Sequence, residues 1–256
     1  MRPGALIGIL IAVGCIVGGN IWEGGHVGAL VGGPAFLIVI GGTVGAIVVQ
    51  YPFSDIKTGL RLMAGLFKPH KLNGEKLVEE IVDYANRARR DGILALEKVG
   101  EQASDPFLKK ALMMAVDGVD SQTLRETLEV TIGVEEHHAE NGAKVLEAGG
   151  GYAPTVGIIG AVLGLIHVMS NLSDIAAVGV GIAGAFVATI YGVAFANLIC
   201  LPMAARIKLD IAETAKLREM ELTGVLAIQA GLNPKLVRDR LVQFLGDHGG
   251  HGEKKK

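Results

Sequence analysis

The chain has 256 residues, half of them hydrophobic, with 37 glycines and a formal charge of -2. Mean hydropathy is +0.43. Glycine at this level without a Gly-X-Y period excludes collagen, and the scarcity of polar low-complexity runs excludes disorder. No basic stripe marks a nucleic-acid surface, so nucleic acid is not an expected partner. Gly-rich apolar segments are what close helix packing in lipid requires.

Four apolar stretches run over about 4–21, 28–49, 154–172 and 178–203. At 1.5 Å per residue each is about long enough to cross the ~30 Å hydrocarbon core. The first has only Arg2 before it and is followed at once by another apolar stretch, which predicts an uncleaved helix rather than a signal peptide. Trp22 and Tyr51 sit at stretch ends, where amphipathic rings favour the membrane interface. None of the 24 lysines and arginines falls inside a stretch or in the short loops 22–27 and 171–177. By the positive-inside bias, both termini and the central segment face the cytoplasm. The fold class expected is an all-α membrane protein with four transmembrane helices and a helical cytoplasmic domain. Its blocks are a first hairpin (1–52), a cytoplasmic helical domain (53–151), a second hairpin (152–203), a helical extension (204–245) and a disordered tail (246–256).

Within the charged central segment, Asn73 before 75–90, Asp105-Pro106 and Asp120-Ser121 each read as a helix start. The fourth span continues as a helix to about residue 228, and Asn233-Pro234 opens a last helix over 234–245. Cys15 and Cys200 both lie in apolar stretches and read as small packing residues, not a disulfide.

Small residues recur four apart: Gly4 and Gly8, Gly14 and Gly18, Gly41 and Gly45, then Gly184, Ala188, Gly192 and Ala196. That spacing stacks them on one helix face, where another backbone can approach, from the same chain or another subunit. Gly157, Gly160 and Gly164 imply a similar face on the third span. No span holds an Asp, Glu, Lys or Arg, and His167, late in the third, is the nearest thing. An ion carrier acting alone usually has an intramembrane ionisable group, so here a partner must supply it.

Other motifs carry less. Gly179, Gly181 and Gly184 match GxGxxG, but inside an apolar span rather than after a strand, so helix packing is expected. Glu135-Glu136-His137-His138 with Glu140 lacks metal-ligand spacing and reads as a solvated helix face, so no metal is assigned. Pro154 and Pro202 sit at the cytoplasmic ends of the third and fourth spans. They either start one helix and kink the other, or form a paired hinge.

At this point the residues resemble the MotA/PomA family of flagellar stator subunits. The resemblance rests on 36–46 (FLIVIGGTVGA), 89–97 (RRDGILALE), Ala153-Pro154 with Gly157, 188–192 (ATIYG) and 227–234 (AIQAGLNP). It covers nearly the whole chain in order. It implies a non-enzymatic homopentamer in the bacterial inner membrane around two copies of a single-span MotB-type partner, whose aspartate binds the ion. Ion flow then turns the ring against the rotor protein FliG. The resemblance puts Thr155, Ala161, Thr189 and Tyr191 on the ion pathway, Pro154 and Pro202 in conformational coupling, and Arg89 and Glu97 at the rotor contact. Sodium-driven relatives have threonine where this chain has Ala161, which implies proton as the transported ion and no cofactor. The alternatives are a sodium-driven PomA-type stator and an ExbB/TolQ-type energiser. Arg2 and the His/Lys-rich tail receive no role.

Overall fold

The computed structural model describes residues 4–67, 72–170 and 172–246. Arg2 and all of the tail except Gly246 lie outside the described residues. The fold is helical, with no strand among the described residues. In chain order come α1 (Gly4–Trp22), a 3-10 turn (Val27–Leu30) and α2 (Gly33–Phe36), which passes through a π-helical segment (Leu37–Gly41) into α3 (Gly42–Gln50). Then follow α4 (Phe53–Gly65), α5 (Gly74–Asp91), a 3-10 turn (Ile93–Leu96), α6 (Glu97–Gly100), α7 (Pro106–Val116) and α8 (Ser121–Ser170). Finally α9 (Ile175–Ala194) passes through a second π segment (Phe195–Cys200) into α10 (Leu201–Gln229), and α11 (Pro234–Leu245) closes the order.

Among the described residues, the stretches Val27–Gln50, Ser121–Ser170 and Ile175–Gln229 are long and apolar enough to cross a membrane. Leu6–Trp22 is a shorter apolar helix. Close contacts divide the chain into two compact units, Met1–Pro69 with His138–Leu209, and His70–His137 with Asp210–Lys256.

The helix starts follow local chemistry. Asn73 accepts from the Lys76 N–H, Asp105 from Phe107, Asp120 from Gln122 and Thr123, Asp174 from Ala176 and Ala177, and Asn233 from Lys235. Each bond satisfies a donor that the first helical turn leaves without an intrahelical acceptor. Pro106 and Pro234 stand at the first helical position, where a missing N–H costs nothing.

One boundary differs from expectation. Pro154 does not begin the third span but lies inside the unbroken 50-residue α8. A proline ring presses on the carbonyl four residues back and leaves it without its donor. Here that residue is Gly150, in the run Gly149-Gly150-Gly151, where absent side chains leave room for the backbone to adjust.

The second unit has the larger apolar core. Leu77, Val78, Ile81, Val82 and Ala85 of α5 repeat at helical spacing and are buried with Leu96, Leu108, Leu112, Leu124, Leu128, Met220, Val225 and Leu241. Each such aliphatic side chain contributes roughly 1.5–3 kcal/mol when fully buried. Beside this core, Arg218 of α10 pairs with Asp105 and with Glu221 (3.2 Å), and its guanidinium lies 4.9 Å from the centre of the Phe107 ring. Glu221 is fully buried. Burial first, then the neighbouring Asp105 charge, pushes its carboxyl up to about 8.

Candidate functional site

In the first unit, α8 and α9 meet through their small residues. A methyl group built on Gly157 would come 3.0 Å from the Ala188 carbonyl oxygen, and one on Gly164 would come 3.0 Å from the Ala185 Cβ. One on Gly160 would meet the Ala188 Cβ at 2.8 Å, and one on Gly192 the Ala153 carbonyl at 2.5 Å. The small-residue faces of these two helices are therefore used within the chain. The face on α9 is Ala185, Ala188 and Gly192, continued by the buried Ala196. Gly184 is exposed and has nothing within 4 Å. Strict four-residue spacing drifts about 40° per step around a 3.6-residue helix, so one step of three keeps the stripe in contact. Of the GxGxxG glycines, Gly181 fits against Val168 of α8, whereas Gly179, like Gly184, has nothing within 4 Å.

The second span packs on the same pair. Ala35 and Val39 are buried against Val187 and Ala188. A methyl on Gly42 would strike Val156 at 2.8 Å, whereas Gly45 has nothing within 4 Å and Gly41 meets only Leu37 of its own helix, at 3.9 Å. Gly4, Gly8, Gly14 and Gly18 of α1 also have nothing within 4 Å. Cys200 is buried next to Gly149, but Cys15 is exposed among the described residues.

The residues expected on the ion pathway have distinct surroundings. Ala161 is half-buried on α8. Thr155 is exposed and its hydroxyl donates to the Tyr152 carbonyl at 2.8 Å, while Thr189 donates to the Ala185 carbonyl at 3.4 Å. Such back-bonds occupy the hydroxyl hydrogen and leave the oxygen lone pairs. Tyr191 reaches across to the second span: its hydroxyl donates to the Leu30 carbonyl at 2.7 Å and accepts from the Gly32 N–H at 3.1 Å. Its ring meets Phe36 edge-on, with centroids 6.5 Å apart. These bonds satisfy two main-chain groups where the 3-10 turn gives way to α2. Thr43 was read only as part of a sequence signature; it is fully buried in α3 and its hydroxyl has no partner among the described residues.

Each proline follows a residue held across the helix pair. Pro154 follows Ala153, whose carbonyl faces Gly192, and Pro202 follows Leu201, whose side chain covers Gly150. The π segment that ends at Cys200, two residues before Pro202, shifts the hydrogen-bond register, and Asn197 donates to the Val193 carbonyl at 2.9 Å. π segments inside α-helices concentrate at functional positions, and here one lies beside a proline.

In the second unit, Arg89 lies in the last turn of α5 and Glu97 opens α6. Gly92 between them has φ +85°, a conformation a side chain would strain, and the buried Leu96 anchors the turn. Both charges are exposed, and neither has an ion-pair partner among the described residues. The Glu135–Glu140 stretch lies within α8; Glu135 is 3.9 Å from Arg218, and His138 is 3.1 Å from the Thr58 hydroxyl.

Comparison with known proteins agrees with this arrangement. Residues 99–220 match the model of the MotA/TolQ/ExbB proton channel family, and residues 6–90 match that of the Motility protein A N-terminal region. The chain is 36% identical to Motility protein A of Bacillus subtilis over 246 residues, 96% of this chain and 91% of the relative. It is 30% identical to Chemotaxis protein PomA of Vibrio alginolyticus, over 88% of each chain. The fold superposes on a chain of the C. jejuni MotAB structure with TM-score 0.93, 29% identity and full coverage of both. On the Bacillus subtilis flagellar MotAB stator complex the TM-score is 0.89, with 36% identity, 98% of this chain and 100% of that one. The chain belongs to the MotA/TolQ/ExbB proton channel family. It is a flagellar stator ion-channel subunit, not an enzyme.

Proposed function

We propose that this stator subunit couples inward proton flow to torque together with a MotB-type single-span partner in the bacterial inner membrane. The observation that carries this reading is the small-residue contact of α8 with α9, in spans that hold no Asp, Glu, Lys or Arg. The partner's carboxylate supplies the proton-binding group. One charge falling through 100 mV releases about 2.3 kcal/mol. That energy biases two helix arrangements only if protonation changes their relative stability. Neutralising a carboxylate against an apolar face does so, because burying the charged form is far costlier than burying the neutral one.

The chain crosses the membrane four times with both termini, the central segment 53–151 and the segment after residue 203 in the cytoplasm, a reading supported by the confinement of lysine and arginine to those parts. Five copies surround two partners. Thr155, Ala161, Thr189 and Tyr191 border the ion path, and Ala161, with no oxygen to replace sodium hydration, favours protons. Pro154 and Pro202 transmit the change, and Arg89 and Glu97 engage FliG. The deciding experiment is swimming in a stator-deleted host, with and without a co-expressed MotB-type partner, while the proton and sodium gradients are collapsed separately. Swimming is expected only with the partner and only with the proton gradient. Motility that survives proton collapse and stops without sodium overturns proton coupling.

A further inference from the structure

Three threonines lie in the spans, and two of them donate to a carbonyl of their own helix, Thr155 at 2.8 Å and Thr189 at 3.4 Å. Thr43 is the third. Its side chain is fully buried and its hydroxyl has no partner among the described residues. A hydroxyl withdrawn from water and left unpaired costs the fold stability. The usual remedy in a helix, a bond to the carbonyl four residues back, is not taken here. The π-helical segment Leu37–Gly41 ends two residues before Thr43, and such segments concentrate at functional positions.

Its neighbours place it. A methyl on Gly42 would lie 2.8 Å from Val156, and one on Gly149 would lie 3.3 Å from Ile47. α3 and α8 therefore run in opposite directions, and Thr43, between Gly42 and Ile47, stands level with Pro154. Val39, Thr43 and Ile47 are four apart and share one helix face. Val39 is buried against Val187 and Ala188 of α9, and Ile47 meets α8. Thr43 thus lies where α3 meets both helices of the pair. Pro154 takes a donor away at the same level, because it has no N–H for the Gly150 carbonyl. Helical carbonyls point toward the C-terminus, so this one points from Gly150 toward the level of Pro154 and Thr43. An unpaired donor and an acceptor without its helical donor face one junction, and in this arrangement they are not bonded to each other.

We propose that Thr43 is a positioning residue of the Pro154 hinge: in the alternate arrangement of α8 its hydroxyl donates to the Gly150 carbonyl. The inference rests on the reading above in which Pro154 transmits the conformational change. A hydroxyl that costs stability in one arrangement and forms a bond in the other shifts the balance toward the second.

The test uses the full chain with its MotB-type partner and two readouts, the thermal midpoint of the detergent-solubilised complex and the rotation rate of a flagellum-attached bead in a stator-deleted host. Thr43→Val removes the hydroxyl and keeps the shape. It should melt at or above the wild-type midpoint, because an apolar group replaces an unpaired polar one. Its rotation should nevertheless be about tenfold slower, the effect of losing one hydrogen bond to a buried carbonyl. Thr43→Ser keeps the hydroxyl and loses a methyl, so it should melt lower yet rotate near the wild-type rate. A role in packing alone would move both readouts the same way. Thr43→Val that rotates at the wild-type rate or melts below wild type overturns the proposal, as does Thr43→Ser that is as slow as Thr43→Val. Thr43→Ala, expected to be equally slow, takes the place of Thr43→Val if that variant fails to assemble. Pro154→Ala restores the N–H to the Gly150 carbonyl and tests the hinge itself. Slow rotation of Pro154→Ala beside wild-type rotation of Thr43→Val removes Thr43 alone, whereas wild-type rotation of Pro154→Ala removes the hinge and the role of Thr43 with it.

Discussion

The hydroxyl of Tyr191 holds the Leu30 carbonyl at 2.7 Å and at the same time takes the Gly32 N–H at 3.1 Å, joining α9 to the entrance of the second span. In an apolar setting, main-chain groups at a helix interruption need such partners, because no water satisfies them. Tyr191→Phe keeps the ring contact with Phe36 and removes both bonds. It is expected to destabilise the purified complex by ~1–3 kcal/mol, the usual cost of a stranded buried polar group. Thermal unfolding of the detergent-solubilised complex measures this, and an unchanged midpoint would show that Tyr191 does not hold the second span.

Crowding is the second test. The Gly192 position leaves 2.5 Å between a built methyl and the Ala153 carbonyl, whereas Gly184 has nothing within 4 Å. Gly192→Ala must push α8 and α9 apart beside Pro154, at a cost of ~1–3 kcal/mol for an overpacked site. Gly184→Ala should leave the folded chain as stable as wild type. Matched expression and melting measurements on the two variants check the contrast; equal behaviour would mean that the α8–α9 contact is not as close as described.

A third prediction concerns Glu221. Its carboxyl titrates at about 8 in the folded chain, raised first by burial and then by Asp105, against 4.5 when unperturbed. Between those values the unfolded chain gives up the proton and the folded chain keeps it. Its contribution to stability is therefore complete below pH 4.5, declines as pH rises and is lost above about 8. The slope for one proton is about 1.4 kcal/mol per pH unit. Glu221→Gln stays neutral throughout and should become progressively more stable relative to wild type from pH 5 to 8. Denaturant unfolding at several pH values tests this, and parallel curves for the two proteins would contradict it.

Much of the fold was legible in the sequence where short-range chemistry decides it. The caps at Asn73, Asp105, Asp120 and Asn233 were visible because an Asx side chain and the N–H groups that donate to it lie within three residues. The span from 234 to 245 was readable for the same reason. Features that depend on distant neighbours were not. The Tyr191–Leu30 bond joins residues 161 positions apart, and nothing near Tyr191 announces its acceptor. Helicity through Pro154 depends on what the glycines before it pack against, as at Gly150 and Leu201. The resemblance supplied the site residues; the geometry shows Thr189 and Tyr191 already hydrogen-bonded and brings out Thr43, a buried hydroxyl with no partner among the described residues.

The last prediction concerns how force leaves the molecule. Arg89 and Glu97 flank the Gly92 turn, both exposed and both without an ion-pair partner among the described residues, whereas neighbouring Arg90 is paired with Asp91 at 2.9 Å. Exposed charges of this kind contribute little to stability, with surface pairs worth roughly 0–1 kcal/mol, so reversing them should leave the fold intact. At the proposed rotor contact their role would be recognition, where juxtaposed like charges cost several kcal/mol and opposite charges steer association. Arg89→Glu with Glu97→Lys is therefore expected to leave expression, assembly with the partner and proton conduction unchanged while swimming is lost. Compensating charge reversals on the rotor protein should restore it. Torque retained in the double reversal would remove these two residues from the rotor contact, and loss of proton conduction would place them in the channel's own mechanism instead.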